Sequence, residues 1–225
     1  MSQYSQMQIL KSDLSFHIFN HGNGFENLFL HEANYHYFLE KYALYVSPVA
    51  ETFAYCLMPN HFHFVLRIKE RELIESLMAG VAVVENFSKV RNFGKVLTND
   101  DTAINRYISK QFSNLFSCYT QSFNKVYHRR GSLFIKNFKR ELIADDAYLR
   151  NAIVYVHRNP VHHGFCADYL QWEHSSYGDV LNERKGLVDS SVVFDLFGGK
   201  ESWINHHEKA LVQFESYKLS KEMEL

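Results

Sequence analysis

Residues 50–68 read AETFAYCLMPNHFHFVLRI. Two runs rich in aromatic and aliphatic residues, 50–58 and 61–68, flank the dipeptide Pro59-Asn60. Proline presets φ at the first central position of a turn and asparagine tolerates the second, so the stretch predicts a tight antiparallel hairpin. Alternate side chains of a strand share a face. Phe62 and Phe64 therefore turn to a core, while His61 and His63 project together from the opposite side. Two imidazoles side by side supply half of a divalent-metal site. The same pair also suits two histidines that merely face solvent or hydrogen-bond to neighbours, and HxH alone does not choose between these.

Outward from the hairpin, residues 13–20 (DLSFHIFN) read as a strand running into the turn cluster His21-Gly22-Asn23-Gly24. From Asn27 to Val46, Leu28, His31, Tyr35, Phe38, Leu39 and Tyr42 recur at helical spacing, and Ser47-Pro48 ends the pattern. Residues 70–100 are charged and helical in pattern, and a helix follows from about Ile104 to Tyr127. Gly131 breaks the chain before an extended segment, 132–143, and a last core helix is expected over about 145–157, started by Asp145 and Asp146. Strand, helix, hairpin, helix, strand, helix predicts an α+β fold, an antiparallel sheet with helices packed on it.

The last helix runs into Tyr155-Val156-His157-Arg158-Asn159-Pro160. Tyr155 and Asn159 are four apart and stack on one helical face. Asn159 offers an oxygen ligand suited to Mg²⁺ or Mn²⁺, and Tyr155 offers a phenolic oxygen able to act as a covalent nucleophile. Pro160 disfavours helical geometry in the residue before it, so the helix is expected to end at or just before Asn159. A tyrosine packed at a helix end with asparagine as its cap is the alternative. His157 lies off the Tyr155–Asn159 face and reads as structural.

The chain has 225 residues, 46% of them hydrophobic and 16% aromatic, which is enough for one domain with a sizeable core. Lys and Arg number 24 against 25 Asp and Glu, so a globally basic nucleic-acid coat protein is excluded. Charge is nevertheless segregated. Between Thr102 and Arg140 there is no Asp or Glu, while Arg106, Lys110, Lys125, Arg129, Arg130, Lys136, Lys139 and Arg140 fall there. That segment predicts a basic face, with Arg129 and Arg130 beside Gly131 expected on phosphates and Phe134 and Phe138 expected in the core. Arg158 is expected beside the phosphate at the nucleophile. No apolar run spans a bilayer, no signal peptide is evident, and three scattered cysteines suit a reducing cytoplasm rather than a disulfide framework.

YCLMPNHFHFVLRI, followed about ninety residues later by YVHRNPVHHG and then by WEHSSY, resembles the single-tyrosine HUH transposases. Within these the similarity is to the REP-associated tyrosine transposases and their insertion-sequence relatives, and FNKVYHRRGSLFIKNFK is similar to the segment they carry between metal strand and nucleophile helix. The resemblance covers roughly residues 10–180. It implies a ferredoxin-like sheet, His61 and His63 as the metal pair, Asn159 as the third ligand and Tyr155 as the nucleophile. It also implies Mg²⁺ or Mn²⁺ as cofactor and hairpin-associated single-stranded DNA as substrate, cut through a 5′-phosphotyrosine. Lys136, Lys139 and Arg140 join Arg129, Arg130 and Arg158 as candidate DNA contacts. Relatives include dimers that exchange the nucleophile helix and others that act alone, so a homodimer is one expected arrangement. On this reading residues 1–180 form the transposase domain with 70–105 as a helical insertion, and 181–225 are an extension of unknown role. A non-catalytic DNA- or RNA-binding relative, or an unrelated HxH metallohydrolase, are the alternatives.

Overall fold

The computed structural model describes residues 8–87 and 101–209. In chain order these form β1 (Ser15–His21), α1 (Glu32–Tyr45), β2 (Ala50–Met58), β3 (His61–Ile68), α2 (Arg71–Phe87), α3 (Asp101–Val126), β4 (Lys139–Ile143) and α4 (Asp146–His162). A 3₁₀ turn (Tyr169–Gln171), α5 (Tyr177–Leu181), α6 (Ser190–Phe197) and α7 (Lys200–Lys209) follow. The sheet order is β2-β3-β1-β4, and every neighbouring pair is antiparallel. β1 and β2 are therefore parallel to each other across β3, as β3 and β4 are across β1. This is the βαββαβ arrangement of a ferredoxin-like sheet.

The two faces of the sheet have different company. Phe62 and Phe64 meet the helices: Phe38 of α1 lies 5.3 Å from Phe62, Tyr42 stacks on Phe64 at 4.2 Å, and Phe116 of α3 stacks on Phe62 at 5.7 Å. Burying a side chain of this size stabilises by about 1.5–3 kcal/mol, so this aromatic layer is the main attachment of α1 and α3. On the other face His17, Phe19 and His21 of β1 stand beside Val65, His63 and His61 of β3 by cross-strand register. There α4 lies across β2 and β3. A bulge between Thr52 and Ala54 shifts the alternation of β2, so that Cys56 and Met58 lie opposite His63 and His61 on the α4 face.

Two expectations need correction. The helix α4 does not stop before Asn159 but runs through Pro160 to His162. Val156 and Pro160 are both buried, and Pro160 O accepts from Phe165 N at 2.8 Å, so packing holds a turn that the proline weakens. The segment 132–143 is a strand only over Lys139–Ile143, and ahead of it Phe134 makes a single bridge to Gly22. Within the C-terminal residues, Trp203 of α7 is fully buried and joins the core cluster that holds Phe16 and Phe62. Residues 88–100 of the expected insertion and 210–225 of the expected extension lie outside the described residues. Among the described residues no helix is long and apolar enough to cross a membrane.

Candidate active site

β3 brings His61 and His63 to one face with ring centroids 5.3 Å apart, edge to face, and 2% and 0% exposed. Each ring is oriented by a neighbour. His61 Nδ1 lies 2.7 Å from Asn60 Oδ1. A carboxamide oxygen only accepts, so Nδ1 carries the proton and Nε2 keeps its lone pair. That Nε2 is buried with no hydrogen-bond partner. Asn60 is fixed in turn because its carbonyl accepts from Gly22 N at 2.7 Å. Position 22 admits only glycine, since a β-carbon there would stand 2.1 Å from Glu26 O.

His63 Nδ1 lies 2.9 Å from His17 Nε2, and the two rings stack with centroids 5.1 Å apart. Burial depresses the pKa of His17 to about 3 and that of His61 to about 2, and holds His63 well below 6.5. Neighbouring imidazoles lower His61 and His63 further. The pair is thus neutral at physiological pH, which is the ligating form.

Tyr155 on α4 presents its ring edge-on to the same two imidazoles, 6.1 Å from His63 and 6.0 Å from His17. Two turns along the same helical face, His163 sits 4.5 Å from the His61 ring. Asn159 lies between Tyr155 and His163 in the chain, one turn after Tyr155 on the same helical face. It is fully buried, and neither Oδ1 nor Nδ2 has a hydrogen-bond partner. Among the described residues no group of three or more His, Cys, Asp or Glu is placed to hold a metal ion. The donor set fits a divalent cation: His61 Nε2 and Asn159 Oδ1 are buried polar atoms, each costing about 1–3 kcal/mol while unsatisfied.

A second set of hydrogen bonds fixes α4 from behind. Trp203 O can only accept, so His207 Nδ1 donates to it at 2.9 Å. His207 Nε2 must then accept from His157 Nδ1 (2.9 Å), His157 Nε2 from Ser176 Oγ (2.8 Å), and Ser176 Oγ from Tyr55 N (2.9 Å). Every tautomer in this chain is determined, and it ties α7 through α4 to β2. His207→Ala should cost roughly 3 kcal/mol in urea unfolding, because it empties a buried site and strands His157 Nδ1. His207→Gln, whose carboxamide oxygen accepts in place of Nε2, should cost less.

The expected DNA contacts separate into two groups. Arg158 is not on the surface where a phosphate contact was expected: it is 6% exposed, donates to His207 O at 2.9 Å and lies over the Tyr169 ring, which ties α4 to α7. Arg129 is engaged as well: its guanidinium is spent on Asn124 Oδ1 at 2.7 Å, Glu26 Oε1 at 2.9 Å and Ser132 O at 3.2 Å, latching the loop after α3. Arg130, Lys136 and Lys139 are exposed and Arg140 is half-buried. Phe134 and Phe138 are in the core. Tyr119 of α3 is buried and donates to Leu28 O at 2.6 Å, so its hydroxyl is already engaged. The sequence reading missed His17, His21, His163 and the role of Asn60. His17 and His21 share the parity that puts them on one strand face, but only the pairing of β1 with β3 brings them to His63 and His61.

A ferredoxin-like sheet with paired histidines under a helix that carries tyrosine and asparagine one turn apart places the chain's likeness among the tyrosine transposases. Two similar proteins carry the description of REP-associated members of that class. Over 131 residues, 56% of this chain, it is 27% identical to a Haemophilus influenzae protein named "Putative REP-associated tyrosine transposase", and the match spans 58% of that relative's length. A solved structure titled as a REP-associated tyrosine transposase bound to a REP hairpin overlaps with TM-score 0.50 and 18% identity, covering 83% of this chain and 90% of the other. At that identity the overlap speaks for the fold. No protein-family model matches the chain.

Proposed function

We propose that the chain cleaves and rejoins single-stranded DNA beside a hairpin, with Tyr155 as nucleophile and Mg²⁺ or Mn²⁺ held by His61, His63 and Asn159. One observation carries the reading: the Tyr155 ring lies against His63 of its own chain, while the Asn159 carboxamide one turn away is buried and unsatisfied. The likeness to REP-associated transposases, one of them titled as bound to a REP hairpin, supports the choice of DNA as substrate.

A bound divalent cation supplies Lewis-acid polarisation of a non-bridging oxygen of the scissile phosphate. The protein supplies position. The Tyr155 oxygen forms a bond to phosphorus, the bond from phosphorus to the 3′-oxygen breaks, the phenolic proton leaves and the 3′-oxygen takes one up. The products are a 5′-phosphotyrosine and a 3′-hydroxyl, and the reverse step rejoins a strand without a nucleotide cofactor. Asn60 and His17 engage the two imidazoles at their Nδ1 atoms, so Nε2 is the atom by which each would hold a metal ion. On this reading the nucleophile and the paired histidines come from one chain, with no exchanged helix.

Labelled hairpin-bearing single-stranded DNA incubated with the protein and Mn²⁺ should give a band of retarded mobility on a denaturing gel, abolished by EDTA. Soluble cleavage products without a protein-linked band would point instead to a hydrolase that uses water. Asn60→Ala is expected to weaken Mn²⁺ binding about 10- to 100-fold in calorimetric titration, because the His61 ring loses the acceptor that sets its tautomer. Asn60 is exposed, so the thermal midpoint of the metal-free protein should move little. An unchanged Mn²⁺ affinity would remove Asn60 from the site.

A further inference from the structure

On the sheet face opposite the paired histidines, α3 and residues 132–140 enclose a groove of about 830 Å³. The α3 wall presents Ser109, Ser113, Ser117 and Thr120, the facing wall presents Lys136 and Arg140, and Arg106 stands among the lining residues. No carboxylate lines it. Among the described residues none of these three cations is in an ion pair, in contrast to Arg129, which is neutralised by Glu26.

Arg140 is the informative residue. It projects from β4 opposite Ile18, towards α3. Its Nε is buried with no hydrogen-bond partner, and its remaining contacts are a 3.5 Å approach to Ser109 Oγ and the Phe138 ring at 4.5 Å. Burial pulls its pKa below the ordinary 12.5. A half-buried guanidinium without a counter-charge destabilises the free protein, and an arriving anion reverses that cost. Serine and threonine hydroxyls in a row with planar and point cations suit the repeated oxygens of a phosphodiester chain.

The groove is also linked to the histidines through β1. Ile135 N donates to His21 O at 2.9 Å and Asn20 Nδ2 donates to Ile135 O at 3.1 Å, so the groove wall is fastened to the end of β1. On the other face of that same strand end, the His21 ring stacks on His61 at 4.6 Å. The groove and the His61 side thus lie on the two faces of one strand end.

We propose that this groove seats the sugar-phosphate backbone of the bound DNA several nucleotides from the cleavage point, with Arg106, Lys136 and Arg140 on its phosphates. The inference deepens the DNA-cleaving reading and rests on it for the identity of the ligand. The test uses full-length protein carrying Tyr155→Phe, so that binding is measured without cleavage. Fluorescence anisotropy compares a short oligonucleotide confined to the cleavage region with two longer ones, single-stranded and hairpin-bearing, across a salt series. Arg106→Gln with Lys136→Gln, and separately Arg140→Gln, should weaken the longer DNAs and lower the slope of log affinity against log salt by about one per cation removed. The longer DNA that shows the larger loss identifies whether single strand or stem lies in the groove. Arg106 and Lys136 are exposed, so the first variant keeps the test alive if Arg140→Gln fails to fold. An unchanged slope in the folded Arg106→Gln/Lys136→Gln variant, or an equal loss with the short oligonucleotide, overturns the groove. Adduct formation by the unsubstituted protein on the short oligonucleotide is read separately. A missing adduct with the slope change present would sink the Tyr155 reading and leave the groove standing.

Discussion

In EDTA the protein should unfold cooperatively as pH falls from 6.5 to about 5. Five imidazoles are essentially inaccessible: His17, His61, His63, His157 and His207. Burial lowers all five, to about 3 at His17, about 2 at His61, about 4 at His207 and well below 6.5 at His63 and His157. A histidine whose folded-state pKa lies below 6.5 binds its proton more readily in the unfolded chain. It contributes stability above pH 6.5 and loses it as pH falls towards the folded value. At pH 5.5 each such group has lost about 1.4 kcal/mol, so the five together withdraw about 7 kcal/mol, comparable with the whole stability of an ordinary domain. Circular dichroism across a pH series reads this directly. Excess Mn²⁺ should move the midpoint to lower pH, because a ligand that binds neutral imidazoles stabilises the folded state. A metal-free protein still folded at pH 4.5 would mean that these rings are solvated or paired with acids.

Tyr155→Phe should leave single-stranded DNA binding intact and remove the covalent adduct, with cleavage falling roughly a thousandfold or more, the scale on which deleting a nucleophile acts. The substitution removes one oxygen, and the phenyl ring retains its place edge-on to His63 and His17. His61→Ala should abolish the adduct by a different route, through loss of Mn²⁺ binding, and its stability should fall by about 1.4 kcal/mol less than the parent's as pH drops from 7.5 to 5.5, since one fewer imidazole titrates. A Tyr155→Phe variant that still forms an adduct would move the nucleophile elsewhere. Unsubstituted protein that binds the DNA and forms no adduct would favour a DNA-binding protein without strand chemistry.

The hairpin was legible residue by residue because its signals are local: alternation on both sides of a proline-asparagine turn. The pairing of Tyr155 with Asn159 was equally local, being a matter of one helical turn. Long-range register was not. His17 and His163 enter the site through strand pairing and through a helix that continues past Pro160, and neither follows from nearby residues. The basic segment was legible as composition but not as surface. Glu26, more than a hundred residues before Arg129, neutralises that arginine, and the carbonyl of His207 takes up Arg158. Arg140 stays without a carboxylate because its facing helix, α3, carries hydroxyls where an acid could stand. Trp203 and His207 showed no role from their own spacing, since their partners His157 and Ser176 are distant in the chain.

Peptide mapping of the covalent product decides most directly whether two imidazoles of β3 and a phenol of α4 form one reactive centre. Protein reacted with single-stranded hairpin DNA and Mn²⁺ is digested with nuclease and protease, and the nucleotide-bearing peptide is sequenced by mass spectrometry. The expected product carries its phosphate on Tyr155 and is absent when Mn²⁺ is withheld. A phosphate on Tyr148 or Tyr119, or adduct formed as well in EDTA as in Mn²⁺, would contradict that centre.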